Sequence, residues 1–469
     1  MFHPLLGVVV LSMLLFHLSS NASADLETPG DITVKSSVYL SPPFFLRPGS
    51  VIDKYYFGVP FPKGHIALKS FDAEVVDENG TPIPLHETYL HHWFIEPYYG
   101  LKEDAVHRQF NAGKVDDFSN VIMKRNDGVC EGTETQYYGL GSETRRTSTW
   151  VPGTYGIEIG KSEDFPDGYE ERWMLNVHAI DTRGAVDRLG CTECKCSLYN
   201  VTTDNKGHPL EKDYIGGLYC CNDGTQCQVK QGFNGVGRKL YLRYTVRWAD
   251  WDESIVPVKI YIFDVTDTKR LINDSADGNV PTCKVEYKVK PCSPEGIRND
   301  ECVDVKTAEV ALPHGGDIVY GVAHQHTGGL GAALYGQDGR LLCTSTPTYG
   351  EGKEAGNEAG YIVGMSSCYP EPGSVRVADG EVLTVISNYS CSQLHTGVMG
   401  LFYILVAEPQ TTQEIMSRPS FFSSRWKALP KYPWIFVVMG GLVAVMVGVF
   451  YRRRNEEEGY QSLVTASVP

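Results

Sequence analysis

Thirteen cysteines, all between Cys130 and Cys391, set the first limit on what this chain can fold into. Six of them, Cys191, Cys194, Cys196, Cys220, Cys221 and Cys227, crowd into one stretch with few apolar side chains. Such density belongs to oxidising compartments, where covalent staples hold segments too polar to build a core. Four acceptor sequons, Asn79-Gly-Thr, Asn200-Val-Thr, Asn273-Asp-Ser and Asn388-Tyr-Ser, predict glycans and agree with secretion. Cys191-x-x-Cys194-x-Cys196 has a spacing that zinc sites also use, but the compartment favours disulfides, so residues 189–235 are expected to form a stapled insertion or linker. Thirteen is odd, so at least one thiol is unpaired or pairs between chains.

Both ends of the chain fit that compartment. Leu5 to Phe16 is a short apolar run followed by Ala22-Ser23-Ala24, a small-x-small cleavage pattern, so residues 1–24 are expected to be a signal peptide. Trp434 to Tyr451 carries no charge and would span about 27 Å as a helix. Aromatic residues mark both its edges, and Arg452, Arg453 and Arg454 follow at once. The expectation is a type I single-span membrane protein with a stalk at 409–433, a transmembrane helix at 434–451 and a cytoplasmic tail at 452–469. Tyr460 and Leu463 in the tail form a tyrosine-x-x-bulky pattern of the kind vesicle-coat adaptors read, which places the protein in the Golgi, endosomes or plasma membrane with its ectodomain lumenal or extracellular. The net charge of −15 offers no basic face, which excludes nucleic acid as a partner.

The ectodomain reads as all-β. Leu240, Leu242, Tyr244, Val246 and Trp248 alternate with Tyr241, Arg243, Thr245 and Arg247, a period of two with one wet face. Val285, Tyr287 and Val289 alternate with lysines and Glu286 in the same way. Val256–Val265 and Gly400–Val406 are β-rich apolar runs suited to buried strands. Forty-eight glycines and 26 prolines punctuate the chain too often for long helices, so β-sandwich architecture is expected.

The histidines carry the candidate chemistry. His324-Gln325-His326 places two imidazoles on one side of a strand, where both can grip one metal ion. His91-His92 are neighbours that a flat strand would point apart, so joint ligation needs a twist or a bulge. His178 closes Met174-Leu-Asn-Val-His178, another strand pattern, and His395 lies in a fourth. In order, the set is His-His, one His, His-x-His, then Met399 in His395-Thr-Gly-Val-Met399-Gly.

That order resembles the type II, ascorbate-dependent copper monooxygenases, the family of the peptidylglycine α-hydroxylating and dopamine β-monooxygenases. Local context is similar too: Val177-His178; His324-Gln-His-Thr-Gly-Gly running into Leu334-Tyr-Gly-Gln-Asp-Gly339; and Asp379-Gly-Glu-Val-Leu383, Tyr389-Ser-Cys391 and Met399 before Leu401-Phe-Tyr403. The likeness spans about residues 85–408, and the whole chain is also similar to the plant stress-up-regulated nodulin 19 family. The resemblance implies two adjacent antiparallel, jelly-roll-like β-sandwich domains at 25–188 and 236–408, each holding one copper, facing across a wet gap. It implies His91, His92 and His178 at the first copper, His324, His326 and Met399 at the second, ascorbate as reductant, and Tyr403 as a catalytic aromatic. The chemistry is coherent, because three imidazoles suit electron exchange, while a thioether beside two imidazoles favours Cu(I) and disfavours zinc.

The departures narrow the substrate. Where peptidylglycine hydroxylases hold a substrate carboxylate with Arg and Asn, this chain has Val322 and Leu401. A buried carboxylate without its cation costs several kcal/mol, so a C-terminal-glycine peptide is not the expected substrate. Two function classes follow: a copper monooxygenase acting on a small molecule or peptide, or a non-catalytic, stress-response binding ectodomain on the same fold.

Overall fold

Alternation becomes strand where the sequence places it. In Arg238–Asp250, Leu240, Leu242, Tyr244 and Val246 are buried while the residues between them stay partly wet. Trp248 leaves the pattern because the register slips at Arg247/Trp248, a local bulge. The His395–Ala407 strand is buried at every position, its polar start at His395 and Thr396 included. A computed structural model describes residues 32–104, 108–111, 121–124, 130, 136–204, 206–267, 283–294 and 302–408. The expected signal peptide, stalk, membrane span and tail (with Tyr460 and Leu463), and also Asn273, lie outside the described residues. No helix among the described residues is long and apolar enough to cross a membrane.

The protein is mostly β, in several sheets. The largest has ten strands, and its main path runs Lys35–Leu40, Arg238–Asp250, Ile66–Val76, Tyr155–Ile159, Val256–Asp264, His395–Ala407, Gly316–Gln325 and Arg376–Val377. Tyr155–Ile159 and Val256–Asp264 pair in parallel, so strands from both halves of the chain share one sheet. Arg238–Asp250 lies between Lys35–Leu40 and Ile66–Val76, so the sequence-based boundary at 236 falls inside the first half's sheet. Alternation shows which face of a strand is wet, but not which strands flank it. A six-stranded sheet is centred on Val51–Phe57, Tyr169–Asp181 and Thr88–Leu101, and a four-stranded one runs Val303–Ala311, Val382–Ser390, Gly329–Tyr335, Leu341–Ser345. One core cluster runs from Phe44 through Ala407 and joins residues of both halves.

Six disulfides form, Cys130–Cys283, Cys191–Cys227, Cys194–Cys221, Cys196–Cys220, Cys292–Cys302 and Cys343–Cys368. They bear out an oxidising, extracellular or secretory-pathway setting. All six cysteines of the crowded stretch are consumed by three of these bridges, which leaves none for zinc. The odd cysteine is Cys391, free and buried.

The sequons sit in unequal surroundings. Asn79 is exposed in a turn where the Asp77 carboxylate accepts the Asn79 and Thr81 N–H groups. Asn200 is exposed at the end of the short Cys196–Tyr199 helix, in a left-handed conformation at φ 54°. Asn388 lies mid-strand between Val303–Ala311 and Gly329–Tyr335, with its Oδ1 shielded and unpartnered. We therefore expect full glycan occupancy at Asn79 and Asn200 and the lowest at Asn388. Site-resolved mass spectrometry after enzymatic deglycosylation checks this, and equal occupancy at all three would refute it.

Candidate metal centre

His91 and His92 face one partner because of a bulge. Thr88–Leu101 pairs with Tyr169–Asp181 so that His178 opposes His92 while Ala179 opposes Leu90. His91 is the extra residue, and two residues on one strand meet one on the other. The three imidazoles converge: ring centroids are 4.5 Å apart for His91–His178, 4.9 Å for His92–His178 and 5.5 Å for His91–His92. One nitrogen from each lies within 4.8 Å of one from the others. Flat-strand geometry disfavoured this grouping, and the bulge supplies it.

The His-x-His pair arrives from the Gly316–Gln325 strand. There His324 opposes Leu401, and His326 follows at the strand's end. The expected wet gap between the two histidine sets is absent. The His326 ring centroid is 4.7 Å from that of His91 and 5.1 Å from that of His324. Five histidines thus form one cluster, with exposures of 1 % for His91, 0 % for His178, 3 % for His324 and 4 % for His326. His92 alone of the five is half-buried. The sets merge because both halves of the chain build one core.

Hydrogen bonds fix which nitrogen of the His178, His324 and His326 rings is free. His178 Nε2 lies 2.8 Å from the Cys221 carbonyl, and His326 Nδ1 lies 2.9 Å from the Gly397 carbonyl. A carbonyl can only accept, so both nitrogens carry the proton, and the neutral ring's other nitrogen is a lone pair. Those other atoms, His178 Nδ1 and His326 Nε2, are buried without a hydrogen-bond partner, as is His91 Nδ1. His324 Nδ1 meets Glu143 Oε1 at 2.6 Å, the carboxylate–histidine pairing that orients a metal ligand and fixes its tautomer. Glu143 comes from the Ser142–Arg145 turn, and a Cβ at the preceding Gly141 would sit 2.8 Å from His324 Cε1, so only glycine lets this turn approach.

Burial is the main reason that four of these rings, His91, His92, His178 and His326, stay neutral. It holds His178 down to about 4 and His92 to about 3, and it holds His91 and His326 well below the usual imidazole value. For His91 and His326, neighbouring imidazoles add to the effect. At neutral pH His91, His92, His178 and His326 are uncharged nitrogen donors, the state a transition metal requires. Imidazole-rich sites suit copper or zinc.

Met399 sits in the His395–Ala407 strand, buried, two residues before the partner of His324. The Tyr389 hydroxyl ties it to His326: it accepts the His326 N–H at 2.7 Å and donates to the Met399 carbonyl at 2.6 Å. Tyr403 opposes Val322, and its hydroxyl lies 3.3 Å from that of Tyr137. From Tyr137 (5.3 Å to Phe94) and Phe94 (6.0 Å to His92), ring contacts lead back to the cluster. Val322 and Leu401 are buried and apolar, and neither can hold a substrate carboxylate.

Sequence reasoning missed three contributors. Glu143 is 181 residues from His324, and no local pattern marks such a pair. His395 Nδ1 meets Glu193 Oε1 at 2.5 Å, which binds the Cys-rich stretch to the strand that carries Met399. The Cys-rich stretch is itself a wall of the centre, since the bridged Cys194 and Cys221 sulfurs gather near His91, and Cys221 supplies the carbonyl that fixes His178.

No curated protein sequence matches this chain. Among solved structures, the infectious bursal disease virus VP2 subviral particle aligns with 10 % identity over 84 % of this chain and 76 % of its own, at a TM-score of 0.16. The mosquito-larvicidal Cry4Aa toxin from Bacillus thuringiensis aligns with 9 % identity over 73 % of this chain and 59 % of its own, also at 0.16. Scores this low carry no argument about fold or function. The family model described as stress up-regulated Nod 19 matches residues 32–409, nearly the whole described chain, and the protein belongs to that family.

Proposed function

We propose that this protein is a copper-binding redox protein of the secretory pathway, with His91, His92, His178, His324, His326 and Met399 as its ligand set. The observation that carries the reading is the pair of buried, unpartnered lone pairs on His178 Nδ1 and His326 Nε2, within a cluster of five histidines. Orphaned buried nitrogens cost about 1–3 kcal/mol each, and a bound cation is the partner that removes the cost. Copper held there would supply one-electron exchange with ascorbate and activation of O2. The protein's own contribution is orientation. Glu143 and the Cys221 and Gly397 carbonyls lock three rings, and Tyr389 fixes the spacing of the His326 and Met399 backbones. The apolar surroundings of Val322 and Leu401 favour a substrate without a carboxylate at that point.

The finer reading is a monooxygenase that hydroxylates a C–H bond of a small molecule or peptide, anchored by residues 434–451, with Tyr403 lining the substrate side and Tyr460 and Leu463 read by a coat adaptor. The near-complete burial of four histidines favours a second reading, a metal-loaded ectodomain that binds without turnover. Copper content of the purified protein tests the centre, and ascorbate-dependent oxygen consumption separates the two readings.

Met399 gives a selective test. Met399→Ile keeps volume and apolarity but removes the sulfur, a swap that costs a core position less than about 1.5 kcal/mol. We expect near-normal melting of the apo protein and less copper per chain than wild type holds. Equal, equally tight loading of wild type and variant would return Met399 to the core.

A further inference from the structure

The unpaired Cys391 is not isolated. Its sulfur and those of the bridged Cys292 and Cys302 all lie within 4.8 Å of one another. The backbone holds the three together on both sides: Cys292 N–H donates to the Cys391 carbonyl at 2.8 Å, and Cys391 N–H donates to the Cys302 carbonyl at 3.0 Å. Val289, Tyr389 and Val398 pack with Cys391 in a small apolar cluster, against which Cys292 and Cys302 lie. Cys391 is 7 % exposed, while Cys292 and Cys302 are half-buried, and Pro291, Ser293 and Pro294 beside Cys292 are exposed.

We propose that Cys292, Cys302 and Cys391 form a thiol–disulfide exchange centre that carries a buried thiol to the surface. The Cys391 thiol gives its proton to solvent, and the resulting thiolate attacks one sulfur of the Cys292–Cys302 bridge. That S–S bond breaks as a new one forms to Cys391, and the displaced sulfur leaves as a thiolate that takes up a proton. One disulfide and one thiol exist before and after, so no external oxidant or reductant is consumed. The change is in location, since the free thiol moves from a shielded position to a half-buried one that a small thiol or disulfide in the medium can reach.

Native full-length protein is labelled with a small maleimide at pH 8, quenched in acid, and mapped by peptide mass spectrometry. The expected result is label on Cys292 or Cys302, with Cys391 recovered in a disulfide. Labelling that stays on Cys391 alone, or that needs denaturant and then finds only Cys391, would overturn the proposal. The Cys302→Ser variant gives an independent reading. If folded, as circular dichroism shows, it should contain a Cys292–Cys391 bridge and no free thiol at either position. Two free thiols in the folded Cys302→Ser variant and also in the folded Cys292→Ser variant would overturn it. Cys391→Ser should abolish native labelling while leaving Cys292–Cys302 intact.

Discussion

His178→Gln is expected to leave a folded protein whose copper affinity at the His91–His92 side of the cluster falls by roughly 100-fold or more. Glutamine is the informative replacement because its amide can still donate to the Cys221 carbonyl, which otherwise loses a buried hydrogen bond worth about 1–3 kcal/mol. What it cannot supply is the Nδ1 lone pair, buried without a partner on a ring whose centroid lies 4.5 Å from that of His91 and 4.9 Å from that of His92. His326→Gln makes the matching case, because it preserves a donor to the Gly397 carbonyl while removing Nε2. Competition of each variant against a chelator of known affinity measures the loss. If His178→Gln holds metal as tightly as wild type, the bulge at His91 is a packing feature and the centre lies elsewhere. If it melts far below wild type with no metal present, the ring is a structural element first, and the affinity loss must be read from the His326 variant.

Much of this site was legible one strand at a time. His-x-His spacing, the His-His pair and the need for a bulge are local facts, and strand geometry translates them directly into direction. The merging of the two histidine sets was not legible. It depends on which strands become neighbours, and Tyr155–Ile159 against Val256–Asp264 is a parallel pairing that no turn between them announces. The carboxylates Glu143 and Glu193 were invisible for a related reason: each meets its histidine across about 200 residues of chain, and acidic residues in turns read as solvent-exposed until the fold buries them. Composition identified the cysteine staples as disulfides, but it said nothing of their role as a wall of the centre. The free Cys391 was foreseeable as an odd number, though its two bridged neighbours were not.

The pH dependence of stability is the second large expected effect, and its sign follows from burial. His178 is held down to about 4 in the folded protein, chiefly by desolvation, whereas an unfolded chain leaves it near the usual 6.5. Above about pH 6.5 neither state carries the proton, so the group contributes nothing to pH dependence. Between about 6.5 and 4 the unfolded state binds a proton that the folded state refuses, and stability falls by about 1.4 kcal/mol per pH unit for this one ring. The loss reaches about 3 kcal/mol near pH 4 and then levels off. His91, His92 and His326 act in the same direction. Buried Glu286 opposes them: desolvation raises it to about 7, so the folded state retains a proton that the unfolded state loses as pH rises. Asp53 and Asp264, also raised by burial, act as Glu286 does. The wild-type curve is therefore a difference between opposing groups, and a comparison of variants isolates the ring. Urea midpoints of metal-free wild type and His178→Gln at pH 7.5, 6.5, 5.5 and 4.5 should diverge, with the variant gaining about 3 kcal/mol relative to wild type across the window. Parallel curves would mean that His178 takes up a proton in the folded state as readily as in the unfolded one, which a buried ring hydrogen-bonded to a carbonyl and packed against two other imidazoles cannot do without opening the cluster.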